Sequence, residues 1–342
     1  MSQLEARPLP SFAHTIPFVS CSTVCCGTSR VIVFFGHELP EETGEMYRFL
    51  SRVLMGANSA AEGLKGEHYQ YNKVAVVFPG DAPSHINFLF LQLDPRDHSL
   101  ISNLECGNLS VGAAMMSLIE GVSVPDASGS VFATNLGTGQ QMELFPHHPD
   151  RLWSCEWTVK FLKNVDHQKI FNRAHYETLH VEELGEVEYW IVEEGNVFFF
   201  VNAHPEVASS HLVDLLEKEG AKRAMALGLD PEKSDRAKII FYSTGEANFV
   251  EPMVEACCFF KMELHNSLPG SGSMSLASFL TASLLVENGA PTPFGSLVFH
   301  VHHPSGVLDV SVEWASENGQ LLITNTSFIT PAKLLVHGKL AI

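Results

Sequence analysis

Two stretches of this 342-residue sequence, 108–120 and 273–285, have helical length yet carry apolar or small residues on every side. A helix without a polar face has to be enclosed by other elements. Neither stretch can span a membrane, which takes ~18 uninterrupted apolar residues. The more apolar of the two is broken by Ser275, Ser278, Thr281 and Ser283. Strands are what the rest of the sequence offers as a wrapping. Runs at 30–35, 73–78, 86–93, 238–242, 297–301 and 307–314 are short and apolar, with many β-branched and aromatic residues. Residues 189–192 and 197–201 flank Glu193-Glu194-Gly195-Asn196, a hairpin signature. Two further helices read as surface elements. Residues 40–55 open on Pro40 and two glutamates, and residues 209–227 carry Leu212, Leu215 and Leu216 at helical spacing.

The two buried helices belong to a duplication. The first copy runs Cys106-Gly107-Asn108-Leu109-Ser110, helix, Gly129-Ser130-Val131-Phe132, then Asn135-Leu136-Gly137-Thr138-Gly139. The second runs Pro269-Gly270-Ser271-Gly272-Ser273, helix, Gly295-Ser296-Leu297-Val298-Phe299, then His303-Pro304-Ser305-Gly306. The loop-to-helix segments align at an offset of 163, and the later segments at 167. The order of features predicts an α+β fold of two pseudo-symmetric halves, residues 1–150 and 151–342. Each half is a central helix wrapped by a curved, mainly antiparallel sheet, with the last strand returning to the first half.

Charge and cysteine usage narrow the function. With 21 Lys and Arg against 39 Asp and Glu, the net charge is −18 and no basic cluster exists, which argues against nucleic acid and anionic membrane surfaces as partners. Residues 1–13 lack a basic start followed by an apolar core, so no secretory signal is expected. Seven cysteines, odd in number and irregularly spaced, do not form a disulfide framework, so a cytoplasmic location is expected. His300 and His302 share a strand face but lack a third and fourth ligand, and no metal is expected there.

Each buried helix follows a Gly-containing loop. Its first N–H groups have no intrahelical partner and carry partial positive charge, which suits a carboxylate or an enolate. Capping by Asn108 and Ser273 is the plainer reading of those positions. Cys106 stands at the first helix start, where a thiol becomes acidic and reactive.

These residues resemble the PrpF-type 2-methylaconitate isomerases. Gly27-Thr28-Ser29-Arg30 leading into Val33-Phe34-Phe35 looks like their amino-terminal signature. Asn72-Lys73-Val74-Ala75-Val76-Val77 looks like the strand that carries their catalytic lysine, and Cys106-Gly107-Asn108-Leu109 like their Cys-Gly-Asn helix start. His265-Asn266-Ser267-Leu268-Pro269-Gly270-Ser271-Gly272 is similar to their His-x-x-x-Pro-Gly-Thr-Gly segment, and His303-Pro304-Ser305-Gly306 to their His-Pro-Ser-Gly turn. The five segments occur in the family's order from about residue 20 onward. Departures lie in Cys25-Cys26 before Gly27, in Arg30 where the family has lysine, in His302 before the turn, and in Ile329-Thr330-Pro331-Ala332-Lys333 near the end.

The resemblance implies the diaminopimelate-epimerase-like fold with the active site between the halves. It implies Lys73 and Cys106 as an acid–base pair, acting without metal or organic cofactor. Ser29, Arg30, Asn108, Leu109, Ser110, Gly270, Ser271, His303 and Ser305 are the candidates to hold substrate, with Arg30 the basic one. The implied substrate is a small unsaturated di- or tricarboxylate of the aconitate kind, and the expected assembly is a monomer or homodimer. Epimerases of this fold use two cysteines. Pro269 stands at the second position here, which disfavours amino-acid racemisation. A carboxylate binder without turnover is the alternative from outside catalysis.

Overall fold

The computed structural model describes residues 18–55, 64, 69–94, 99–182, 184–245, 252–265 and 268–341. The expectation about residues 1–13, most of the loop between 56 and 68, and Asn266 and Ser267 of the His265 segment lie outside them. The first half contains β1 (Phe18–Cys26), β2 (Ser29–Phe35), α1 (Thr43–Met55), β3 (Lys73–Pro79), β4 (His85–Leu93), β5 (Leu100–Ile101), α2 (Gly107–Ile119), β6 (Val131–Asn135) and β7 (Gln141–Pro146), and the second opens on β8 (Ser154–Asp166). The second continues with α3 (His167–Arg173), β9 (His175–Val181), β10 (Gly185–Glu194), β11 (Asn196–Asn202), α4 (Ser210–Leu215), α5 (Ala221–Ala226), α6 (Pro231–Asp235), β12 (Lys238–Thr244), β13 (Met253–Phe260), β14 (Glu263–Leu264), α7 (Gly270–Asn288), β15 (Phe294–His303), β16 (Gly306–Glu317) and β17 (Gln320–Ala341).

The strand pairing repeats. In the first half β2 runs parallel to β3, β3 antiparallel to β4, β4 parallel to β6, and β6 antiparallel to β7. In the second half β11, β12, β13, β15 and β16 repeat that sequence of directions. The continuous apolar runs are explained by burial on both faces. In β2 and β3, Val31, Val33, Ala75 and Val77 pack on the central helix α2, while Ile32, Phe34, Val74 and Val76 pack on α1. In β11 and β12, Phe198, Phe200 and Ile240 face α7, and Phe199, Ile239 and Phe241 face α4.

The helix expected over 209–227 is α4, a π-helical turn over Leu216–Gly220, and α5. Gly220 lies so close to the Phe199 ring that an added Cβ would stand 2.7 Å from it. Both central helices are buried along nearly their whole length. Among the described residues no helix is long and apolar enough to cross a membrane. Strand β17 joins the halves: its first part pairs with β16, its middle with β8, and its end with β1.

Candidate active site

The site grows from two starts, that of β3 and that of α2. Lys73 is the first residue of β3 and lies on the face that packs against α2, with Ala75 and Val77 after it. Its amino group donates to Ser29 Oγ at 2.7 Å and to Cys106 Sγ at 3.2 Å. Cys106 precedes α2 in extended conformation, φ −153°, and its side chain caps no N–H of the helix. Lys73 and Cys106 are each only 9% exposed. They share a small chamber of about 30 Å³ with Thr28, Gln92, Glu105, Lys238, Pro269 and Ser271. That is room for a water or two.

Burial alone pushes the Cys106 thiol up, but the charge on Lys73, the Leu109 N–H, the hydrogen bond from Lys73 and the charge on Lys238 outweigh it, and the thiol ends below its usual range. Other cysteines move the opposite way. Burial raises Cys21 and Cys257 to about 11 and Cys258 to about 12. Glu105, directly before Cys106, is pushed up to about 7, chiefly by burial, against the hydrogen bond from Thr138. Burial depresses Lys238, whose charge is partly supported by Cys258, Cys106 and Glu105.

The starts of α2 and α7 converge on one ring. A Cβ on Gly107 would stand 2.9 Å from the Phe328 ring, and one on Gly270 only 2.4 Å from it. Both first positions therefore need glycine. Neither start is capped by the side chain expected to do so. Asn108 Oδ1 accepts from the Thr330 hydroxyl at 3.0 Å, and Ser273 Oγ turns back to the Pro269 carbonyl at 3.1 Å. Gly27 closes this corner at φ +53°, and its N–H donates to the Pro331 carbonyl at 2.8 Å. A Cβ there would stand 2.7 Å from Thr330 Oγ1 and 2.9 Å from the Asn108 amide.

Thr28, Asn108 and Gly270 also line a wider adjoining cavity of about 390 Å³, together with His303, Ser305, Phe328 and Thr330. His303 Nδ1 accepts from the Ser305 N–H at 3.1 Å, which leaves any ring proton on Nε2. Burial lowers the His303 pKa, and the backbone of His265 opposes that shift.

Of the residues proposed from sequence, Ser29, Lys73, Cys106, Asn108, Gly270 and Ser271 line the inner chamber, and His303 and Ser305 the outer cavity. Three lie elsewhere. Arg30 follows Ser29 on a strand, so its side chain leaves on the opposite face. Its guanidinium donates to the carbonyls of Tyr71 and Leu64 and does not line either cavity. The Ser110 hydroxyl donates to the Gly107 carbonyl within its own helix at 2.7 Å. The Leu109 side chain is core, and only its N–H turns toward Cys106. Sequence reasoning missed Lys238 and Glu105. The signal for Lys238 was the duplication: it opens β12 as Lys73 opens β3, 165 positions later, between the two offsets of the repeat. No periodicity marks a buried glutamate before a cysteine. Among the described residues no three His, Cys, Asp or Glu side chains converge as a metal site requires, and His300 is paired with Asp309 at 2.8 Å.

The sequence matches no protein-family model and no curated protein. Solved structures are similar in fold. A methylitaconate-delta-isomerase superposes with a TM-score of 0.64 at 17% identity, over 94% of this chain and 95% of that one. A hydroxyproline epimerase from Agrobacterium vitis, with bound trans-4-hydroxy-L-proline, gives 0.59 at 14% identity, over 95% and 91%. A structure described as a predicted epimerase from Pseudomonas aeruginosa gives 0.53 at 10% identity, over 95% and 99%. The chain has the diaminopimelate-epimerase-like α+β fold.

Proposed function

We propose that the protein is a cofactor-independent isomerase that moves a proton between allylic carbons of an unsaturated di- or tricarboxylate of the aconitate or 2-methylaconitate kind. The observation that carries this reading is the 3.2 Å contact between the Lys73 amino group and an acidified Cys106 thiol at an uncapped helix start. A substrate entering from the outer cavity separates the two groups and lies between them. The Cys106 thiolate takes a proton from an allylic carbon that itself bears a carboxylate. The electron pair spreads over the allyl system into the carboxylate, where the N–H groups at the starts of α2 and α7 stabilise the negative charge. Lys73 returns a proton at the far carbon, so that no proton is gained or lost overall. The enzyme is left as neutral thiol and neutral amine, and proton transfer between them restores the starting pair.

Amino-acid epimerisation is the second reading, because a hydroxyproline epimerase shares the fold. Pro269 disfavours it, since the position facing Cys106 then has no thiol. The decisive experiment is incubation with cis-aconitate in deuterated water, followed by ultraviolet absorbance and proton NMR. Double-bond migration or cis–trans exchange that Lys73→Ala abolishes supports the reading. Wild-type incorporation of deuterium at the far carbon by Lys73→Ala would refute the assignment of Lys73.

A further inference from the structure

The mechanism leaves Glu105, Arg236, Lys238 and His265 of the inner chamber unused. Lys238 is the counterpart of Lys73 in the second half. Lys73 is paired with Val31 across the parallel β2–β3 ladder, and Lys238 with Phe198 across the parallel β11–β12 ladder. Lys73 shares its strand face with Ala75, packed on α2, and Lys238 shares its face with Ile240, packed on α7. The chamber therefore holds two amino groups, one from each half, and is lined by the helix starts of both halves as well.

Other cations around the cleft are neutralised. Arg236 is paired with Asp94 at 3.2 Å, and Lys163 with Glu194. Lys238 has no ion-pair partner among the described residues, and its ammonium lies 5.6 Å from the centre of the Phe198 ring. An enclosed cation without a carboxylate in ion-pair contact is costly, and an anionic ligand offsets that cost. Glu105 is the single carboxyl on the chamber lining among the described residues. It bonds Thr138 and packs against Gly195, on the side of a separate cavity that it also lines.

We propose that Lys238 binds a second carboxylate of the substrate, and that the lysine pair restricts the site to di- and tricarboxylates and excludes zwitterionic amino acids. An amino acid would bring its own ammonium between two lysines and two positively polarised helix starts. A polycarboxylate meets a charge at each end, one beside the reacting carbon and one fixing the remote group. This inference rests on the isomerase reading for its substrate class, but it is tested by binding.

The experiment measures how ligands protect Cys106 from iodoacetamide, with the modified residue identified by peptide mass spectrometry. The probes are tricarballylate (a saturated, unreactive tricarboxylate), butyrate and proline. Wild-type protein should be protected by tricarballylate far more tightly than by butyrate, and not by proline. Lys238→Met and Lys238→Gln should each weaken tricarballylate at least tenfold and leave butyrate unchanged, and either variant alone decides the point if the other does not fold. With aconitate, KM should rise more than kcat falls, and Lys238→Arg should restore most of the affinity. The proposal fails if an uncharged variant binds tricarballylate like wild type, if tricarballylate gives wild type no protection, or if proline protects equally well. Absence of aconitate turnover with protection that depends on Lys238 would overturn the reaction assigned above and leave the polycarboxylate site standing.

Discussion

Cys106 and Lys73 touch across 33 residues of sequence because one begins a central helix and the other begins the strand packed on it. Each places a functional group where the backbone changes from loop to regular structure, so the charge on Lys73 acts directly on the protonation of the thiol.

Removing that charge should be visible without substrate. In Lys73→Met the iodoacetamide reactivity of Cys106 should move to higher pH, because the cation that holds the thiol down is gone while burial still raises it. For every pH step of one by which the profile moves, alkylation at neutral pH should slow about tenfold. A pH series on wild type and variant checks this, and superimposable profiles would contradict it.

Turnover should depend on both groups far more than folding does. Cys106→Ser and Lys73→Ala should each lose about 10³-fold or more in kcat, since each removes a proton carrier. The melting temperature should move only a few degrees. Steady-state kinetics beside calorimetry separates this from a folding defect.

Glu105 should make the fold less stable as pH rises. Its carboxyl titrates near 4.5 in the unfolded chain and at about 7 in the fold, so between these values the native state binds more protons. Stability contributed by the neutral acid is therefore full below about pH 4.5 and is lost progressively as pH rises toward about 7. Glu105→Gln, neutral throughout, should gain on wild type by something on the order of 2–3 kcal/mol at pH 8, and by almost nothing at pH 4. Denaturant melts at the two pH values test the sign.

Gly27→Ala should destabilise by about 1–3 kcal/mol, because φ is +53° and the new methyl meets Thr330 and the Asn108 amide. Chemical denaturation gives the number. Activity should fall further than stability alone explains, since Asn108 lies on the inner chamber.

Phe328→Ala should cost about 3–5 kcal/mol, as for other large aromatic side chains lost from a core. It should also raise KM, because the starts of α2 and α7 both rest on that ring. Restoring bulk with Phe328→Leu should recover most of the stability and less of the affinity.

What could be read from sequence follows from which interactions are local. Helices α2 and α7 were legible because a helix with no polar face has one place to go, and the matched features around them exposed the repeat. Cys106 was legible because its loop directly precedes a helix. Arg30 was misplaced because motif matching ignores strand alternation: Ser29 bonds Lys73 inside, and its neighbour leaves on the face toward α1. Ser110 was misplaced because a small hydroxyl in a helix finds its own backbone first. Thr330 and Phe328 were out of reach, since only a pairing between distant strands brings them beside Asn108 and the two helix starts. Lys238 was within reach, had the repeat been carried to the strands that precede the helices.

The course of β17 has a consequence for how the protein is made. Residues 328–331 brace both helix starts and hold Gly27, and residues 332–341 supply the second neighbour of β1. A nascent chain on the ribosome therefore carries Lys73 and Cys106 long before the segment that shapes their surroundings has been translated. Until then the edge of β1 stays open to pairing with other chains, so chaperone demand during synthesis should be concentrated on this early, waiting strand.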